Sequence, residues 1–281
     1  MTAYLRPAEL EAALAALAAR PHTIIAGGTD LYPAHAGRPL PGPLLDLTAI
    51  AELGGITESD DHWRLGAMTT WSELARAELP PCFEGLKQAA REVGGPQIQN
   101  VGTLGGNLCN ASPAADGVPP LLTLEARVEL ASAAATTTLA LEDFVLGNRR
   151  TALAADQIVS AIIVPKPPQP AAARFAKLGA RRYMVISVAS VAVLLLLEGG
   201  SVAGARLAVG ACSEAPLRLP EAEAALAGAP CASGLGERLE AGHLAALAPI
   251  DDVRATAAYR RDGALVLLRR TLESCANGAR V

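Results

Sequence analysis

Ile24-Ile25-Ala26-Gly27-Gly28-Thr29-Asp30-Leu31 and Gly102-Thr103-Leu104-Gly105-Gly106-Asn107-Leu108 decide how this chain is read. Each places two adjacent glycines shortly after apolar residues, Thr23 to Ile25 in one case, Ile98 and Val101 in the other. Without a Cβ in the way, successive backbone N–H groups of such a turn can approach an anion closely. The pair predicts two halves of one diphosphate cradle, each loop at a strand end and both facing a common cleft. Taken singly, either glycine pair is equally compatible with an ordinary tight turn. The Gly-x-Gly-x-x-Gly spacing of a Rossmann turn is absent, and no Gly-Lys pair exists to serve a P-loop.

The second loop continues into Cys109-Asn110-Ala111-Ser112-Pro113-Ala114-Ala115-Asp116. With these residues included, the sequence resembles the flavin-binding subunit of molybdenum hydroxylases, the family of xanthine dehydrogenase and carbon monoxide dehydrogenase. The resemblance runs on through Phe175-Ala176-Lys177-Leu178-Gly179-Ala180-Arg181-Arg182-Tyr183 and from Pro249-Ile250-Asp251-Asp252 to Tyr259-Arg260-Arg261, so it spans nearly the whole chain. It implies an α+β fold. An FAD-binding domain of the vanillyl-alcohol-oxidase-like type, in two α/β lobes of about 1–55 and 56–170, is expected over residues 1–170. A C-terminal domain over 171–281, with an antiparallel sheet and helices, is expected to follow, with FAD extended between the two.

The resemblance also implies the cofactor contacts: Ile24, Ile25, Ala26, Gly27, Gly28, Thr29, Asp30, Leu31, Val93, Thr103, Leu104, Gly105, Gly106, Asn107, Asp116, Val159, Lys177 and Tyr183. Several of these have a bland reading beside the functional one. Asp30 would repel phosphates, so holding the turn through local N–H groups suits it better. Asp116 is suited to accept bonds from sugar or ribityl hydroxyls, or else belongs to a helix start after Ser112-Pro113. Lys177 would stabilise an anionic reduced ring if it reached the flavin, and is otherwise a solvated surface charge. Tyr183 suits either a flavin-ring neighbour or a plain core tyrosine. Relatives in the broader fold with covalent flavin carry a histidine in or near the first loop. Here that loop has Thr29-Asp30, with His22 and His35 outside it, so FAD is expected to be non-covalent.

The mechanism implied is an electron relay. A large partner chain with the molybdenum cofactor oxidises substrate, and a small partner with [2Fe-2S] clusters passes electrons to this FAD. The flavin then reduces an external acceptor such as NAD, a quinone or oxygen, within a heterotrimer or its dimer. A free-standing FAD-dependent reductase or a flavin-free scaffold are the alternatives. The first would need its own substrate pocket and proton donor, the second would have no use for two intact loops.

Composition agrees with a protein of this kind. A formal charge of −4 over 281 residues supplies no clustered basic surface for nucleic acid. The longest apolar run, Met184 to Leu197, is 14 residues, short of the ~20 that span a bilayer, and reads as a buried strand. The start carries no export-signal pattern, so a cytoplasmic location is expected. Five cysteines and four histidines are scattered without metal-ligand spacing, so no metal site is expected in this chain.

Along the chain, Leu10, Leu14 and Leu17 mark a helix closed by Pro21, and Leu44 to Leu47 and Trp63 to Ala67 read as strands. Thr70-Trp71-Ser72-Glu73 is a capping box. Arg127 to Leu141 is strand-like with a turn at Thr136-Thr137-Thr138, and Ile158 to Val164 is a further strand. The proline cluster from Pro165 to Pro170 marks a crossing segment. Met184–Leu197 and Ala205–Ala211 follow as a hairpin-like pair, then helices around Ala222–Leu226 and Arg254–Leu272.

Overall fold

The computed structural model describes residues 3–278. Its first sheet is parallel and three-stranded, with β1 (Tyr4–Leu5) and β2 (Thr23–Ile25) on either side of β3 (Leu44–Asp46). The connection from β1 to β2 is the helix Leu10–Ala19, which buries Ala13, Leu14 and Leu17 at helical spacing. Pro21 cannot continue it, and the chain turns into β2.

A second sheet is antiparallel and five-stranded, in the order β4 (Ile56–Glu58), β5 (His62–Gly66), β10 (Ile158–Pro165), β6 (Arg127–Ala131) and β7 (Thr136–Ala140). A small hairpin, β8 (Val145–Gly147) and β9 (Arg150–Thr151), precedes β10. Thr136 to Thr138 are not the turn that the sequence suggested. They pair with Glu129 to Ala131, and the chain reverses through Ser132–Ala135, where Ser132 accepts the N–H groups of Ala134 and Ala135. β-Branched threonine suits an exposed edge strand, whereas serine is the better turn residue.

The helices between β5 and β6 carry the second glycine loop. Thr70 caps the helix Trp71–Arg76 with a complete capping box, its hydroxyl accepting from the N–H of Glu73. The second loop does not follow a strand. Ile98 lies in the short helix Pro96–Gln99, and Gly105-Gly106 form the first turn of the helix Leu104–Asn110, capped by Thr103. Proline at a first helical position and threonine at an N-cap override the apolar residues that suggested a strand.

The third sheet runs β11 (Ala171–Leu178), β12 (Ala189–Glu198), β13 (Ser201–Gly210) and β14 (Leu217–Arg218), all antiparallel. β12 begins at Ala189, because Met184 has φ +48° and lies in the loop ahead of it. Its apolar run is explained by burial on both faces. Val191, Val193 and Leu195 pack beneath the helix Ala257–Gly278, while Leu194 and Leu196 join the core of the residues before 165.

Candidate cofactor site

A cleft of about 830 Å³ opens where the first sheet, the helix Leu104–Asn110 and the loop ahead of β12 meet. Strand periodicity orients its first wall. His22, Ile24 and Ala26 alternate on the cleft side, whereas Ile25, only 4% exposed, points into the protein. The backbone N–H groups of Ala26, Gly27, Gly28, Thr29 and Asp30 have no acceptor among the described residues. Gly28 has φ +69°, and its carbonyl is used to start the helix Leu31–Ala34 by accepting from Tyr32. Five successive uncommitted donors around a glycine pair form an anion-binding concavity. Asp30 does not hold this turn as expected. Its carboxylate makes no hydrogen bond, and only its carbonyl is used, by Ala34.

The second loop works differently. Most of its N–H groups are consumed inside the protein: Gly102 donates to Ile98 (2.7 Å), Leu104 to Thr69 (3.0 Å), Gly105 to Ala67 (2.7 Å), and Gly106 to the Thr103 hydroxyl (3.0 Å). It therefore contributes chiefly a wall, with the Thr103 N–H its one donor without an acceptor among the described residues. The glycines answer to protein packing. A Cβ on Gly27 would stand 1.9 Å from the Val101 carbonyl oxygen, and one on Gly105 2.8 Å from the Ala67 Cβ. Gly27 thus seats one loop directly on the other. Asn107 also lines the cleft, and its buried side-chain oxygen has no partner, an acceptor awaiting a donor. Leu104, at 1% exposure, faces the core instead.

Asp116 reaches the cleft wall from the segment after this helix. No helix begins at Ser112-Pro113, so the helix-start reading falls away; the next helix starts at Val118. One Asp116 oxygen accepts from Lys177 at 2.6 Å and the other from the Ser187 hydroxyl at 2.6 Å, in a pair whose side chains are 7% and 8% exposed. Burial pushes the Asp116 carboxyl above the usual carboxylate range, while Lys177 and Ser187 pull it back. The Lys177 ammonium also donates to the carbonyls of Val185 (3.1 Å) and Glu92 (3.4 Å). With three donors engaged, Lys177 is neither a surface charge nor a lining residue. Tyr183 is 61% exposed outside the cleft, its hydroxyl accepting from Arg182 at 2.9 Å, so it is not a core tyrosine either.

Val93, Val159, Leu31 and Thr103 line the cleft. So do residues outside that expected set: His22, His35, Cys109, Arg149, Val185 and Ile186. His22 was recoverable from the two-residue period through Ile24 and Ala26, and His35 from its four-residue spacing to Leu31. Arg149 and Ile186 had no such signal, since tertiary folding alone brings them in. Cys109 reaches the cleft, yet the surrounding walls push its thiol up to about 12. Among the described residues no group of three or more His, Cys, Asp or Glu side chains is arranged to hold a metal ion, and no helix is long and apolar enough to cross a membrane.

Comparison with known proteins adds a family to this geometry. The nicotinate dehydrogenase FAD-subunit of Eubacterium barkeri is 36% identical over 216 residues, covering 75% of this chain and 73% of its own length. The xanthine dehydrogenase FAD-binding subunit of Escherichia coli O157:H7 is 32% identical over 262 residues, with 92% and 90% covered. In the solved structure of reconstituted CO dehydrogenase from Oligotropha carboxidovorans, one chain superposes with a TM-score of 0.90 at 29% identity, covering 99% of this chain and 98% of that one. Residues 174–275 match the CO dehydrogenase flavoprotein C-terminal domain. Residues 1–167 match the FAD binding domain in molybdopterin dehydrogenase, and with relatives of this similarity over nearly its full length, the chain belongs to that family.

Proposed function

We propose that this chain is the FAD-carrying medium subunit of a molybdenum hydroxylase. It passes electrons from the iron–sulfur clusters of a small partner subunit to an external acceptor, while a large partner holding the molybdenum cofactor oxidises the substrate. The observation that carries this reading is the run of uncommitted N–H groups from Ala26 to Asp30, in a cleft that also holds two orphaned buried side-chain atoms among the described residues, the acceptor Asn107 Oδ1 and His22 Nε2. A dinucleotide has the complementary set, with phosphate oxygens for the donors and hydroxyl or amino groups for the acceptor.

Each wall then has a task. The Ala26–Asp30 backbone binds the diphosphate and the free Thr29 hydroxyl supplements it, so no lysine is required in the loop. Asn107 and the remaining lone pairs of Asp116 orient hydroxyl-bearing parts of the ligand. Val93, Val159, Val185 and Ile186 supply apolar cover that excludes water. Lys177 acts on the cofactor through Asp116 and the loop ahead of β12, as a positioning residue. Bound FAD would supply the electron-accepting and electron-donating chemistry, so the protein needs no acid–base pair of its own.

The vanillyl-alcohol-oxidase-like character of the FAD-binding region, the division into domains at 1–170 and 171–281, the non-covalent attachment and the cytoplasmic setting are parts of the same proposal. None of the five cysteines is in a disulfide, which suits a reducing compartment. Purification of the native complex tests the reading. Acid precipitation is expected to release one FAD per copy of this chain, and substrate is expected to reduce iron–sulfur clusters of a co-purifying small subunit before the flavin. Flavin retained on the precipitate, release of FMN, or a purified complex without large and small partners would each contradict it.

A further inference from the structure

Arg149 is the only lysine or arginine lining the cleft among the described residues. Its position is built. It sits in the turn between β8 and β9 with φ +53°, and its N–H donates to the Ala111 carbonyl at 2.9 Å. That bond ties the turn to the end of the glycine-loop helix. The guanidinium Nη1 donates to Asn110 Oδ1 at 2.8 Å, and Arg149 takes part in no ion pair among the described residues. Its remaining donors are uncommitted.

Helix geometry relates this cation to the anion-binding loop. A Cβ on Gly106 would lie 3.9 Å from the Cβ of Ala26, which marks where the helix faces that loop. Asn110, which holds the guanidinium, is four residues further along the same helix and on the same face, about 6 Å along the axis. A flexible arginine side chain covers that interval.

Charge makes the same point. A diphosphate brings two negative charges, and the two carboxylates in the lining do nothing to balance them: Asp30 is unbonded and Asp116 is matched by Lys177. The unpaired cation is Arg149. We propose that Arg149 is a cofactor-binding residue that engages the anionic diphosphate of FAD, completing electrostatically what the Ala26–Asp30 backbone begins. This rests on the FAD reading above, and deepens it by naming a side chain outside both glycine loops. A guanidinium on a phosphate oxygen makes a charge-assisted bond stronger than the neutral N–H bonds around it.

The test uses the full chain within its co-purified complex, depleted of flavin and titrated with FAD by equilibrium dialysis at low and high sodium chloride. Arg149→Gln is expected to raise the Kd about tenfold at low salt, as loss of one charge-assisted bond does, and to flatten its dependence on salt. Arg149→Lys is expected to keep the salt dependence and recover part of the affinity. The melting temperature of the flavin-free variants, expected to match the parent, separates lost binding from lost fold. Wild-type affinity in Arg149→Gln overturns the proposal. So does weakened binding with an unchanged salt dependence, which would assign Arg149 to an uncharged part of the ligand. Failure of the unsubstituted complex to bind FAD would instead overturn the underlying FAD reading.

Discussion

At the residue scale the buried pair Asp116–Lys177 carries the sharpest expectation. Truncating Lys177 to alanine leaves a carboxylate with one hydroxyl partner in a site where both side chains are under 10% exposed. Breaking a buried pair from one side costs about 3–5 kcal/mol, so Lys177→Ala is expected to lower the urea midpoint substantially. The double variant Asp116→Asn, Lys177→Met, which removes both charges, is expected to recover most of that loss. Equal destabilisation in both variants would show that packing, not charge, is at stake. The family resemblance singled out both residues as cofactor contacts, but their contact with each other was not legible, since 61 positions separate them and no periodicity links them. The same limit hid Arg149. Gly27 and Gly28 were legible as special, though the reason differed. Gly27 is required by the Val101 carbonyl beneath it, while Gly28 is required by its own backbone conformation.

At the scale of elements, the helix Leu104–Asn110 is pinned to the second sheet through Gly105. Gly105→Ala places a methyl 2.9 Å from the Ala67 carbonyl oxygen and must push the helix outward. Such overpacking costs about 1–3 kcal/mol, so the substitution is expected to reduce thermal stability and flavin content together, measured by melting and by flavin absorbance. A variant that lost flavin at unchanged stability would instead mean that Gly105 faces the ligand. A second expectation concerns the segment leading into the helix Ala257–Gly278. Asp252 accepts from the N–H groups of Arg254 and Ala255 and from the buried guanidinium of Arg260, which hold its carboxyl well below the usual range. A depressed folded-state pKa adds stability above the unfolded carboxylate value, about 4, and that stability is lost as pH falls below it. Asp252→Asn is therefore expected to destabilise at neutral pH and flatten the acid limb of melting temperature against pH; a parallel displacement of the whole curve would exclude this linkage. Strands and helices with a clear period, such as Leu10–Ala19 and the capping box at Thr70, were legible in the chain. The second loop was misassigned because apolar residues beside a short helix look like the end of a strand when the caps are overlooked.

At the scale of the whole molecule, the two family-matched regions share a hydrophobic core. Ala173, Leu194, Leu196 and Ala208 from the third sheet pack with Leu65, Phe83 and Val128 from the residues before it, so the proline-rich crossing from 165 to 170 joins parts that do not separate cleanly. Leu194→Ala, at a fully buried position, is expected to cost about 2–5 kcal/mol and to shift one common transition followed by both Trp fluorescence and circular dichroism. Two separated transitions would show independent domains. The broad α+β architecture was legible because the resemblance covered nearly the full chain, whereas the shared core depends on which face of β12 meets which neighbour, and a strand apolar on both faces does not say. The same continuity bears on how the site comes into being. Its lining begins at His22 and ends at Ile186, and Asp116 has no counter-charge until Lys177 is in place. During synthesis from the N-terminus, the glycine loop that receives the diphosphate leaves the ribosome long before the residues that close the far wall. Cofactor loading is therefore a late event in the life of the nascent chain, and a translation product truncated before β11 can carry both glycine loops and still have no finished cleft to offer.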